Sequence, residues 1–146
     1  MTLSTARWFV VVILSLAAAA ASGQAKVCGN DDVIAAEQAA ERLQNWSGVY
    51  DAYHHWAHCD DGAVAEGFSA SVVRMLASHW EQFAAFQGFA EADGGFLVFV
   101  LGHIDASTPT RDLQRVIANA KQRCSPDGKP LCAAVEKAAH AALKDD

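Results

Sequence analysis

The segment Asp51-Ala-Tyr-His54-His55-Trp-Ala-His58-Cys59-Asp60-Asp61 gathers more side chains capable of chemistry than any other stretch of the chain. Wound as a helix, Asp51, His54, His55 and His58 fall at offsets 0, 3, 4 and 7 and share one face. His54 and His58, a turn apart, can chelate one divalent transition-metal ion, and a carboxylate such as Asp51 can complete the site. The metalloprotease pattern His-Glu-x-x-His is not formed, because residue 55 is histidine where the glutamate base would stand. Without a metal, the same residues make a solvated polar face. Metal binding or sensing through this face is therefore the alternative reading of the chain.

Other reactive constellations are weaker. A nucleophilic hydrolase needs Ser, Cys or Thr beside a base and an oxyanion site, and no Gly-x-Ser-x-Gly occurs. A glycosidase needs two carboxylates across a cleft. Asp60, Asp61 and Glu66 are available, but Asp60-Asp61-Gly62 is accounted for as a helix cap. His79 and His103 lie among apolar neighbours and are expected as hydrogen-bonded core or boundary histidines. Asp105 follows His103 closely, yet near neighbours on a helix point apart, so no dyad is expected. The reading is of a protein that is not an enzyme and carries no cofactor.

The first residues set the compartment. One cation, Arg7, precedes an unbroken apolar run from Trp8 to Ala21, followed by the small residues Ser22 and Gly23. That order is a secretory signal peptide. A run of about 14 residues is too short to span a bilayer, which takes roughly 20. Residues 1–23 are expected to be removed, leaving residues 24–146 as one exported, periplasmic domain free of the membrane. The chain has 11 Lys and Arg against 17 Asp and Glu. Loss of Arg7 leaves 10 against 17, a net charge of −7. Phosphates require cations, so this surface argues against nucleic acid. It suits a basic protein partner or simple solubility.

Cys28, Cys59, Cys124 and Cys132 all follow the leader, and an even count in an exported domain favours disulfides. Three connectivities are open. A Cys124–Cys132 bridge would staple a helical hairpin across its turn, and Cys28 with Cys59 would then tie the N-terminal segment to the end of the following helix.

Helical periodicity dominates the rest. Asp31 or Asp32 can cap a helix carrying Val33, Ala36, Ala40 and Leu43. Trp46, Val49, Tyr50, Tyr53 and Ala57 repeat along a second. Val64, Phe68, Val72, Met75, Leu76 and Trp80 stripe a third, in which Gly67 suggests close approach to another helix. Phe83, Phe86 and Phe89 continue that apolar surface. Residues 96–104 could pass for a buried strand, but nothing exists to pair with it, so a buried helix, apolar nearly all round, is expected. Thr108-Pro109 opens the next helix, and residues 131–143 carry the last. The expectation is a single all-α domain of about six short helices.

This layout resembles the immunity proteins of bacterial type VI secretion amidase effectors. The likeness rests on Asn45-Trp-Ser-Gly-Val-Tyr50 leading into Ala57-His-Cys-Asp-Asp-Gly62, and on the apolar segment from Phe96 to Asp105 before the helix of Arg111–Cys124. The resemblance implies a periplasmic helical protein, often a homodimer, that plugs the active-site cleft of a peptidoglycan-cutting toxin. A blocker needs exposed complementary groups. The acidic turn with Asp60 and Asp61 and the acidic loop with Glu91 and Asp93 are the expected contact surface for such a secreted cell-wall hydrolase.

Overall fold

The computed structural model describes residues 26–145, and the leader assigned to residues 1–23 lies outside them. Among the described residues the apolar repeats become seven α-helices and two short 3-10 turns, without a strand. Helix α1 (Asn30–Ala40) and α2 (Trp46–Trp56) lead through a 3-10 turn (Ala57–Cys59) into α3 (Gly62–Ser78). A second 3-10 turn (Trp80–Gln82) opens α4 (Phe83–Ala92), followed by α5 (Gly94–Gly102), α6 (Thr110–Gln122) and α7 (Lys129–Asp145). Residues 83–89 do not extend α3, because His79 leaves helical geometry at φ −125° and ψ 41°. That break makes the helix count seven where six were expected.

The caps show why helices start where they do. Asn45 accepts a hydrogen bond from the Gly48 amide at 2.8 Å, and Asp61 accepts from Gly62 at 2.8 Å. Asp93 takes two orphan amides at the start of α5, Gly95 at 2.9 Å and Phe96 at 3.1 Å. Such caps are each worth about 1 kcal/mol. Two expected caps fall elsewhere. Gly29 caps α1, leaving Asp31 and Asp32 in its first turn, where their charge still suits the helix dipole. Helix α6 begins at Thr110 after Pro109, while Thr108 gives its hydroxyl proton to the Asp105 carbonyl.

Helix α3 sits at the centre, packed on α1 and α6. Gly67 lets it close on α1: a Cβ there would stand 2.9 Å from the Ala40 Cβ. Ser71 donates to the Ala40 carbonyl at 2.6 Å and Arg74 to the Leu43 carbonyl at 2.7 Å, so the polar end of α1 is satisfied from α3. On the other side, the Asn119 amide donates to the carbonyls of Leu76 and Ala77 at the end of α3. Aromatic stacking fills the remaining space, with Trp46 on Phe86 at 4.5 Å and Trp80 on Phe83 at 4.3 Å between centroids.

Both disulfides form. Cys124–Cys132 closes the α6–α7 hairpin, and Cys28–Cys59 joins the approach to α1 to the turn after α2. Residues 96–104 are helical through Gly102, with Phe96 and Val100 buried and Val98 72% exposed. No helix of the described residues is long and apolar enough to cross a membrane.

Candidate functional site

The histidine face divides among three neighbours. His55 Nδ1 lies 2.9 Å from the backbone oxygen of Asp51, one turn earlier on α2. His54 Nε2 instead faces Asp93 of the α4–α5 junction at 3.4 Å. His58 lies beyond the end of α2, in the 3-10 turn, where Nε2 is 3.7 Å from Asp32. The tighter turn removes His58 from the register that a continuous helix would have given it. Among the described residues the sole cluster of three metal-ligating side chains is Cys28, His58 and Cys59, without Asp51, His54 or His55. His58 Nε2 is buried and has no hydrogen-bond partner. An orphaned polar atom of this kind costs about 1–3 kcal/mol.

A different constellation lies at the heart of the molecule. Ser69 of α3 donates its hydroxyl proton to Asp105 at 2.6 Å, and its oxygen lies 3.0 Å from His103 Nδ1. His103 Nε2 lies 3.1 Å from Asp60. Asp105 also accepts from the amide and hydroxyl of Ser107. Serine, histidine and two aspartates thus meet from three parts of the chain: the turn before α3, α3 itself and the α5–α6 connection. His103 and Asp105 do come together, though not face to face: both are joined through Ser69. Helix α5 ends at Gly102, so the helical spacing argument does not apply to them.

The parts of a hydrolytic triad are present, but not its arrangement. Ser69 is 1% exposed and its proton points at a carboxylate, so no nucleophile is presented to a substrate. Proton counting exposes a further tension. With Ser69 donating to Asp105, His103 fills both remaining contacts only when both ring nitrogens carry protons. Burial opposes that and holds His103 below the usual histidine range, against the pull of Asp60 and Asp105. Burial also pushes Asp105 upward, but the bonds from Ser107 and Ser69 outweigh it and lower its pKa.

The four acidic residues expected at a contact surface have different environments. Asp61 is exposed beside its cap, whereas the Asp60 side chain is 27% exposed and turned toward His103. Asp93 is occupied by its two cap bonds and by His54. Glu91 is exposed and accepts from Gln87 at 2.8 Å. Asp60 and Asp61 line a groove with His58 and Cys59; Glu91 lines a separate one. That second groove, about 240 Å³, runs between α4–α5 and the start of α7. Ala90, Leu97, Pro130 and Leu131 make it apolar, and Glu91 and Asp127 stand on its rim. Compared with known proteins, the chain matches no family model, no curated protein and no solved structure.

Proposed function

We propose that this chain is an exported binding protein that acts by occupying a partner's surface, the partner being a basic, secreted cell-wall hydrolase. The acid-rimmed apolar groove beside α5 carries the reading. Its chemistry fits a loop presenting an apolar side chain next to a lysine or arginine: the apolar group enters between Leu97 and Leu131, and the cation meets Glu91 or Asp127. Val98, next to Leu97 on the same short helix, is exposed and offers a further apolar side chain. Burying such a valine contributes about 1.5 kcal/mol or more. The two bridges stiffen the scaffold and so reduce the ordering cost of association. The net charge of −6, or −7 once residues 1–23 are removed with Arg7, adds attraction at long range. The resemblance to type VI amidase immunity proteins points to the same class of partner.

The test is paired. Oxidised protein, with and without the substitutions Val98→Lys and Glu91→Lys, is used to capture proteins from secreted and periplasmic extracts of the source cells. Any stoichiometric partner is then assayed for peptidoglycan cleavage. A hydrolase that is held and inhibited by the unmodified chain, but not by the double variant, supports the reading. A partner retained by the double variant removes the groove from the interface, and a bound hydrolase that stays active overturns the inhibitor reading.

A further inference from the structure

We propose that the Cys28–Cys59 bridge closes a redox-gated metal site, in which the reduced cysteines and His58 bind one zinc-class ion. The ligand atoms of these three residues all lie within 4.8 Å of one another. Cys28 is half-buried just before α1, Cys59 is buried at the end of the 3-10 turn, and the two lie 31 positions apart in sequence. Two thiolates and one imidazole are a donor set that tetrahedral zinc or its analogue cobalt(II) accepts readily. A disulfide is not, since the thiolate is the form that ligates. The bridge therefore holds the site shut while keeping its parts assembled.

His58 supplies the second, independent observation. Its Nε2 is buried without a hydrogen-bond partner. Asp32 stands 3.7 Å from that nitrogen. With the ring bound to metal through Nδ1, a small approach would let Nε2–H donate to Asp32, the carboxylate–histidine–metal relay that fixes a ligating imidazole. In a tetrahedral site with metal–sulfur bonds of about 2.3 Å, the sulfurs stand roughly 3.7 Å apart. The Cα atoms of Cys28 and Cys59 are 5.1 Å apart, so side-chain rotation can open that separation. A groove of about 480 Å³ bordered by Cys28, His58 and Cys59 leaves room for water in the fourth position.

The chemistry balances with a dithiol as reductant. Its two thiols deliver two electrons and two protons, the S–S bond of the bridge breaks, each cysteine sulfur gains one proton, and the reductant leaves as a disulfide. Metal binding then displaces the two thiol protons into solvent.

The test uses the whole chain carrying Cys124→Ser and Cys132→Ser, so that Cys28 and Cys59 are its sole cysteines. Cobalt(II) is added to the oxidised and dithiol-reduced forms after removal of the reductant. The expected result is a one-to-one complex with thiolate-to-cobalt charge-transfer absorption in the reduced form only, displaced by zinc. His58→Ala should weaken it by about a hundredfold or more, since even an outer partner is worth roughly 10–100-fold. Helical circular dichroism is followed in parallel. A reduced chain that unfolds and regains helix with zinc, but not as the His58→Ala variant, also supports the site. No charge-transfer band, equal binding by the oxidised form, or undiminished affinity in His58→Ala overturns it.

Discussion

Replacing Ser69 by alanine removes a single oxygen from a site that is 1% exposed, and with it two contacts. The bond to Asp105 is charge-assisted and worth about 1.5–3 kcal/mol; the contact with His103 is worth about 0.5–1.5 kcal/mol. No solvent reaches the position to compensate, so the expected loss is about 3 kcal/mol, or roughly 10 °C in Tm. The same cluster predicts a pH dependence. Because burial lowers His103 from its ordinary value of 6.5, the unfolded chain binds more protons than the folded one below that point. Stability from this group is complete above about pH 6.5 and declines as pH falls toward the folded value. Asp105, whose pKa is lowered from 3.8, adds stability that is lost only at lower pH still, as its folded value is crossed. Urea denaturation between pH 4.5 and 8 would measure the His103 contribution, with His103→Gln expected to flatten the slope near pH 6, and extending the series below pH 3.8 would measure that of Asp105. Stability that rises as pH falls through 6.5 would refute the burial argument and make the imidazolium the favoured native form. A Ser69→Ala loss below about 1 kcal/mol would mean that the hydroxyl is not shared as described.

Other outcomes follow from single contacts. Gly67→Ala gains about 1 kcal/mol in helix propensity but drives a Cβ to 2.9 Å from that of Ala40, so a net loss of about 1 kcal/mol is expected in thermal melts. Asn119→Ala frees the carbonyls of Leu76 and Ala77 at a buried helix end and should cost about 2 kcal/mol by denaturant titration. Opening Cys124–Cys132 by paired serine substitutions should cost about 2.5 kcal/mol, and opening Cys28–Cys59, with its longer span, about 3.5 kcal/mol. Equal losses would show that chain entropy does not set the contribution of the bridges.

The fold was legible where local rules act alone. Asp61 caps the helix it precedes, Gly67 marks the close helix contact, and the apolar run from Phe96 turns helical for want of a strand to pair with. Of the three connectivities left open, the one that forms is the pair with Cys124–Cys132 across its short turn-rich span and Cys28–Cys59. Less was legible where one residue had two calls on it. Asp60 reads as a turn residue, yet its carboxylate belongs to His103, 43 positions away. Asp93 reads as an acidic loop residue, yet it caps α5 and faces His54. The offset rule placed His58 with His54, but the change from α to 3-10 winding after Trp56 sent it to Cys28 and Asp32. Ser69 gave no signal at all: its neighbours in sequence are helical core, and its partners, His103 and Asp105, come from the distant α5–α6 connection.

The two bridges divide the molecule into covalent rings and a free span. Residues 28–59 form one ring, enclosing α1 and α2, and residues 124–132 form a small one. Everything from 60 to 123, including α3 at the centre and the exposed α5, lies in neither. Opening that span breaks only packing and hydrogen bonds, while the first ring stays closed however far the chain unravels. Amide hydrogen exchange should therefore distinguish two kinds of protection. In α3 it comes from depth of burial alone and is lost with global unfolding. In α1 and α2 the ring restricts even the unfolded chain, so these helices re-form from an ensemble already drawn together. The groove proposed for a partner thus spans both kinds of chain: Ala90, Glu91 and Leu97 belong to the free span, while Asp127, Pro130 and Leu131 belong to the small ring.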